Sequence, residues 1–344
     1  MYLAIHSMIK EFGKLPSGKQ VFTYTIKNNA GLTLSAINLG GIITSLQIPF
    51  RTGLVNTVLG YSSLEPYLTN VAYVGAIIGR YANRIKNGEF KLGNSNVQVY
   101  KNNGQNHLHG GLYGFDRQFW DIEIDTFENH PALLLSYVSK DGEEGYPGEL
   151  KTEVIYQLKE NTLRVIFKAR TNLTTAVNLT QHSYFNLSEV KTSITQNLLQ
   201  ILSDRFALVD ETQIPNNGLI PVTQTPFDCR TAKRIHDILS QNHAQLVIGE
   251  GIDHSWETSK NLETPIAILI NEEQKRAMSV YTNQPALHVY TGNHLKDMGL
   301  PKHAAICFET QHFPDTINQP TLGNSILTPT EEYYHETIFT FFDA

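Results

Sequence analysis

Apolar and polar residues alternate along most of this chain with a period of two. Between Glu149 and Leu158, the residues Leu150, Thr152, Val154, Tyr156 and Leu158 share one face, and Glu149, Lys151, Glu153 and Gln157 share the other. Leu163, Val165, Phe167 and Ala169 repeat the pattern against Arg164, Lys168 and Arg170. Lys159-Glu160-Asn161-Thr162 lies between as a polar turn, so the two runs predict an antiparallel hairpin with one buried face. Ile155 and Ile166 break the pattern from the polar side. Similar runs recur at Val21–Lys27, Leu32–Asn38, Ile42–Ile48, Asn96–Tyr100, Ile122–Thr126, Ala132–Val138 and Leu198–Leu202. Others follow at Ile266–Ile270, Met278–Thr282, Leu287–Thr291, Ala305–Glu309 and Glu336–Phe342. Asn87-Gly88, Asn103-Gly104, Asp141-Gly142 and Asn217-Gly218 supply turn chemistry between many of them. Helical spacing is confined to Ser62–Leu68, interrupted by Pro66, and to Ala232–Asn242, where Ile235, Ile238 and Leu239 share a face.

No Pro/Gly/Ser-rich linker, charge run or fixed-period repeat divides the 344 residues. The expected fold is all-β: one large antiparallel β-sandwich with a few short helices. Two smaller sandwiches meeting mid-chain are the alternative. A hydrophobic share of 41% and a charged share of 17% supply a sizeable core and argue against disorder. With 27 Lys+Arg against 33 Asp+Glu, the net charge is −6, and no basic run marks a nucleic-acid or polybasic membrane surface. No apolar stretch approaches the roughly 20 residues that span a bilayer, and residues 1–8 lack the pattern of a secretory leader. A cytoplasmic location is the expectation. Cys229 and Cys307 are far apart, outside any CxxC pair, and read as two reduced thiols.

Candidate chemistry gathers in a few segments. In strand geometry Asn178, Thr180, His182, Tyr184 and Asn186 share a face, and every one can hydrogen-bond. That face reads as the wall of a wet, concave site for a polar ligand; an exposed sheet face is the plainer reading. Glu309 ends the otherwise apolar run Ala304–Phe308 and shares a face with the small residues Cys307 and Ala305, a setting for a partly desolvated general base. His107 and His109 stand two apart in a polar, Gly-rich stretch, but spacing marks no third ligand, so no metal site is assigned. No dinucleotide fingerprint, P-loop or nucleophile elbow is present. Arg80, Asn83 and Arg84, with Asp253, His254 and Trp256, are groups suited to sugar hydroxyls and to the apolar face of a sugar ring. Taken alone, this inventory suits proton transfer on a hydroxylated small molecule and does not identify the reaction.

In order along the chain stand Glu11-Phe12-Gly13 with Leu15-Pro16, Asn38-Leu39-Gly40-Gly41, Gly79-Arg80-Tyr81-Ala82-Asn83-Arg84-Ile85, and Leu108-His109-Gly110-Gly111 running on to Gly114-Phe115-Asp116. Asn178–Leu187, Gly251-Ile252-Asp253-His254, Tyr290-Thr291-Gly292-Asn293 and Phe308-Glu309-Thr310-Gln311 with Pro314-Asp315 follow. This ordered set resembles the galactose mutarotase (aldose 1-epimerase) family. The resemblance spans about residue 8 to the C-terminus, with residues 1–7 an extension and Met8 a possible alternative start. It implies one large β-sandwich, interconversion of the α and β anomers of an aldose, no cofactor and no metal. By motif, Glu309 is the general base at the C1 hydroxyl and His182 the general acid at the ring oxygen. His109 is expected near the anomeric centre, and Arg84, Asn83, Asp253 and Gln284 at sugar hydroxyls. Gln181, Ile252 and Ser255 depart from the family pattern and affect the shape of the pocket, not the proton transfers. A non-catalytic sugar-binding module, a hexose 6-phosphate epimerase and a glycoside hydrolase using Asp253 with Glu309 are the other functions considered. The preferred aldose and the oligomeric state are left open.

Overall fold

The computed structural model describes residues 6–69 and 72–344. Among these, the strands form a five-stranded, a nine-stranded and a six-stranded sheet, with four two-stranded ladders at the margins. The five-stranded sheet is a meander of His6–Lys14, Gln20–Lys27, Thr33–Ile37, Ile43–Phe50 and Gly53–Asn56. Of the N-terminal segment set apart from sequence, residues 1–5 lie outside the described residues. His6 and Ser7 open the first strand, opposite Lys27 and Ile26.

The nine-stranded sheet contains the expected hairpin, Leu150–Lys159 with Thr162–Thr171, in the register Val154↔Phe167. The C-terminal strand Tyr333–Asp343 lies between Thr162–Thr171 and Arg276–Thr282. Strands from both halves of the chain therefore share one sheet, and the mid-chain division into two sandwiches does not occur. The two isoleucines that broke the alternation pair with each other across the hairpin. They form a small apolar cluster on the sheet's other face with Ala132, Leu134 and Phe127.

The third sheet positions the site. Its order is Tyr184–Phe185, Ile306–Gln311, Ala286–Tyr290, Asp253–Glu257, Arg205–Val209, Pro215–Pro221. Residues directly opposite in an antiparallel pair share a face, and so do residues two apart along a strand. Ile306, Phe308, Leu287, Val289 and Trp256 thus point one way, into the main core. Burying each such side chain contributes about 1.5–3 kcal/mol. Asp253, Ser255, His288, Tyr290, Cys307 and Glu309 point the other way, through the pairs Ser255↔His288, His288↔Glu309 and Tyr290↔Cys307.

Helices are few: Glu65–Leu68 and Ile235–Leu239 fall inside the two predicted segments, and Ala244–Ile248 was not anticipated. Among the described residues no helix is long and apolar enough to cross a membrane. Both cysteines are buried free thiols.

Candidate active site

The polar face of the six-stranded sheet is the floor of a cavity of about 290 Å³, with Asp253, His288, Tyr290 and Glu309 in its lining. Its walls come from the N-terminal half of the chain and from the segment around His182: Tyr73, Asn83, Arg84, His109 and His182. The two-residue ladder of Arg84–Ile85 with His107–Leu108 brings two of these walls together. Next to it, the His109 N–H donates to the Asn83 carbonyl at 3.1 Å. The Asn83 N–H donates to His109 Nδ1 at 3.2 Å. Both residues hold left-handed backbones, at φ 62° for Asn83 and 52° for His109. Non-glycine residues adopt that region at a cost, and such strain concentrates at functional sites.

Glu309 and His182 approach each other in this cavity. Glu309 Oε1 lies 3.6 Å from His182 Nε2, and both side chains are almost fully buried. Glu309 Oε2 is buried and has no hydrogen-bond partner in the protein. A carboxylate oxygen withdrawn from water without a donor is costly, so this atom is one a ligand hydroxyl would satisfy. His182 Nδ1 sits 3.6 Å from Cys307 Sγ. Burial, with the negative charge of Glu309, pushes the Cys307 thiol well above its usual range and keeps it neutral. His109 packs edge-on to His182 with ring centroids 5.3 Å apart. Burial, reinforced by the neighbouring His182 and Arg84, holds His109 well below 6.5 and therefore neutral. Its Nδ1 accepts from Asn83, so its remaining proton is on Nε2.

Asp253 and Arg84 form the second polar group. Burial alone would raise the Asp253 carboxyl, but the hydrogen bond from His288 and the charges of His288 and Arg84 bring it to about 2. His288 Nε2 is 2.6 Å from Asp253 Oδ1, and its Nδ1 is 2.8 Å from Ser255 Oγ. Burial lowers the Arg84 guanidinium from its usual value, and Asp253 and Glu309 oppose that shift.

Six of the seven residues expected from sequence line this one cavity: Glu309, His182, His109, Arg84, Asn83 and Asp253. Gln284 does not. It precedes Pro285 in the turn before Ala286–Tyr290 and lines a separate depression with Lys260 and His312. The position on the site face is His288, four residues on and in phase with Tyr290.

The hydrogen-bonding face read across Asn178–Asn186 is also corrected. The segment is two short ladders, Thr180–Gln181 against Ile77–Ile78 and Tyr184–Phe185 against Ile306–Cys307. His182 and Tyr184 reach the cavity, whereas Asn178, Thr180 and Asn186 donate to the carbonyls of Ala82, Thr310 and Ala304. Arg80 is spent on Ser139, Lys140 and Pro147. Trp256 lies in the core, its indole N–H donating to the Phe227 carbonyl. Tyr73 and Gln213 line the cavity without having been marked by any motif.

His107 does not pair with His109 as a ligand. Its ring is held between the Tyr100 carbonyl at 2.5 Å and the Tyr146 hydroxyl at 2.6 Å. The ligand-type atoms that do converge, within 4.8 Å, are those of His109, His182 and Glu309. A divalent cation held there would engage His182 and Glu309 together with His109.

The sequence pattern of the aldose 1-epimerase family matches residues 23–340. Galactose mutarotase from Mus musculus is 38% identical over 340 residues, covering 96% of this chain and 97% of the mouse protein. Aldose 1-epimerase from Escherichia coli (strain K12) is 34% identical over 339 residues, covering 95% and 96% of the two chains. The crystal structure of galactose 1-epimerase from Lactobacillus acidophilus NCFM superposes with a TM-score of 0.88 at 29% identity, covering 99% of this chain and all of that one. Matched over nearly its whole length in sequence and in fold, this chain belongs to the aldose 1-epimerase family.

Proposed function

We propose that this chain interconverts the α and β anomers of galactose- or glucose-type aldoses in this cavity, with Glu309 as general base and His182 as general acid. The observation that carries this reading is the buried, unpartnered Glu309 Oε2 in a carboxylate whose other oxygen lies 3.6 Å from His182 Nε2. A hemiacetal carries its hydroxyl and its ring oxygen on the same carbon, so an acid and a base this close can address both.

Glu309 takes the proton of the C1 hydroxyl. The C1–O1 bond becomes a carbonyl as the bond from C1 to the ring oxygen breaks, and His182 protonates the ring oxygen that receives the electron pair. Rotation about C1–C2 presents the other carbonyl face. The reverse transfers close the ring, leaving both side chains as they began. Neutral His109 donates from Nε2 near the anomeric centre, while Arg84, Asn83 and Asp253 hold hydroxyls and orient the ring.

Arg84 is the only arginine or lysine among the described residues lining the cavity, which favours a neutral sugar over a hexose 6-phosphate. Asp253, brought to about 2, is ionised and cannot be the proton donor of a carboxylate-pair hydrolase.

Polarimetry of freshly dissolved α-galactose tests the assignment. Positioned acid–base groups typically contribute about 10²–10⁴-fold, so Glu309→Gln and His182→Asn should each lower kcat by about that factor. Near-normal kcat in either variant removes the role given to that residue. Wild-type protein that fails to speed mutarotation would indicate a sugar-binding module instead.

A further inference from the structure

We infer that Gln213 is a positioning residue that determines which sugar hydroxyls are read: its amide bridges Arg84 and Asp253 and keeps the two charges at the spacing neighbouring hydroxyls require. The inference rests on the assignment of this cavity to the sugar.

Gln213 Nε2 donates to Asp253 Oδ2 at 2.8 Å. Its Oε1 accepts from Arg84 Nη2. A guanidinium and a carboxylate buried in one cavity attract strongly, and their preferred contact is a direct bidentate pair. Arg84 and Asp253 do not make it: among the described residues, no nitrogen–oxygen approach of 4.0 Å or less joins them. The amide stands between them. A planar group with a donor at one end and an acceptor at the other suits both neighbours at once.

The bridge leaves capacity for substrate. Arg84 gives Nε to Asn103 Oδ1 at 3.2 Å and Nη1 to Asn83 Oδ1 at 3.4 Å, besides the bond to Gln213. A guanidinium carries five N–H donors, and each carboxylate oxygen has two acceptor sites. One sugar hydroxyl can therefore accept from Arg84 while its neighbour donates to Asp253, with Gln213 still in place. If the amide is removed, the opposite charges can close on each other and fill the gap the hydroxyls need.

The turn that presents Gln213 is tightly built. Asp210 Oδ1 accepts from the Thr212 N–H at 2.9 Å, the Thr212 hydroxyl at 2.7 Å and the Ile214 N–H at 3.1 Å. The Gln213 N–H donates to the Asp210 carbonyl at 2.8 Å. This leaves Gln213 at φ 62°, a conformation in which a non-glycine side chain is strained. A register shift between Ala207 and Val209 interrupts the pairing of the preceding strand shortly before the turn. A glycine would satisfy the backbone at 213 better, but it would supply no bridge.

The test is steady-state mutarotation by Gln213→Ala and Gln213→Gly, with galactose and its monodeoxy derivatives. Glycine relieves the positive φ, so the second variant removes the amide without burdening the fold. Both variants should raise KM for galactose roughly tenfold or more, with kcat within about threefold of wild type. The deoxy sugar that wild-type protein disfavours most should be disfavoured much less by both variants, because the reader of that hydroxyl has collapsed. Unchanged KM in both variants, a fall confined to kcat, or unchanged discrimination among deoxy sugars would each overturn the inference. Glu309→Gln, assayed alongside, separates the two readings. An active Glu309→Gln protein undermines the site itself, while an inactive one beside an unaltered Gln213→Gly overturns only the role of Gln213.

Discussion

Asp253 is ionised in a setting that should oppose ionisation, and His288 is the main reason. Burial pushes this carboxyl up; the bond from His288 Nε2, with the charges of His288 and Arg84, more than reverses the effect and leaves it at about 2. In His288→Ala the burial remains and the main counterweight is gone, so Asp253 should take up a proton at higher pH. KM for galactose in that variant should climb, relative to wild type, as pH falls from about 7 to about 4, because a protonated Asp253 is a weaker acceptor. Parallel KM profiles for the two proteins would show that His288 does not maintain the charge. His288 was missed in the sequence for a specific reason. Gln284 is an amide just before Tyr290-Thr291-Gly292-Asn293, but it lies in the turn ahead of Ala286–Tyr290 and lines a separate depression. Gln284 and His288 both have the phase of Tyr290, and what puts His288 on the site face is its place inside the strand, opposite Glu309. Tyr73 and Gln213, both at positive φ in connecting segments, carried no periodic signal.

The elements that hold the site differ in how readily the sequence discloses them. Glu309 ends a run whose alternation places Ile306 and Phe308 in the core and Cys307 and Glu309 on the cavity side, so its strand and its face were both legible. Asp253 was legible only as a residue, because Asp253–Glu257 reads locally as a polar segment after Gly251; its strand character comes from pairing with Ala286–Tyr290. Residues 178–186 show the opposite failure. Their period of two is real, yet the chain changes partner between Gln181 and Tyr184, and four of the five polar side chains, Tyr184 among them, donate to backbone carbonyls. The His109 loop depends on close backbone approach. A Cβ on Gly110, at φ 90°, would stand 1.8 Å from the Gly79 carbonyl oxygen. Glycine there lets the segment carrying His109 rest against the one leading to Asn83 and Arg84.

At the scale of the whole molecule, the C-terminal strand joins both halves of the large sheet, and the cavity draws on residues from Ala72 to Glu309. Site and fold should therefore be lost together. Several buried histidines set the pH at which that happens. Burial lowers His107 to about 4, and His254 and His335 to about 3. Below about pH 6.5 the unfolded chain binds protons at these positions that the folded chain refuses. Stability therefore rises with pH across that window and is lost on acidification, by up to about 1.4 kcal/mol per pH unit for each group. Calorimetric Tm should be nearly level above about pH 7 and fall steeply below about 6; a Tm that stays level down to about pH 4.5 would contradict the assignment of these histidines as buried and neutral. The central claim concerns where the anomeric carbon sits. A crystal structure with bound galactose should place its C1 hydroxyl within hydrogen-bond reach of Glu309 and its ring oxygen within reach of His182. A sugar bound with its anomeric end at Asp253, away from both residues, would contradict it.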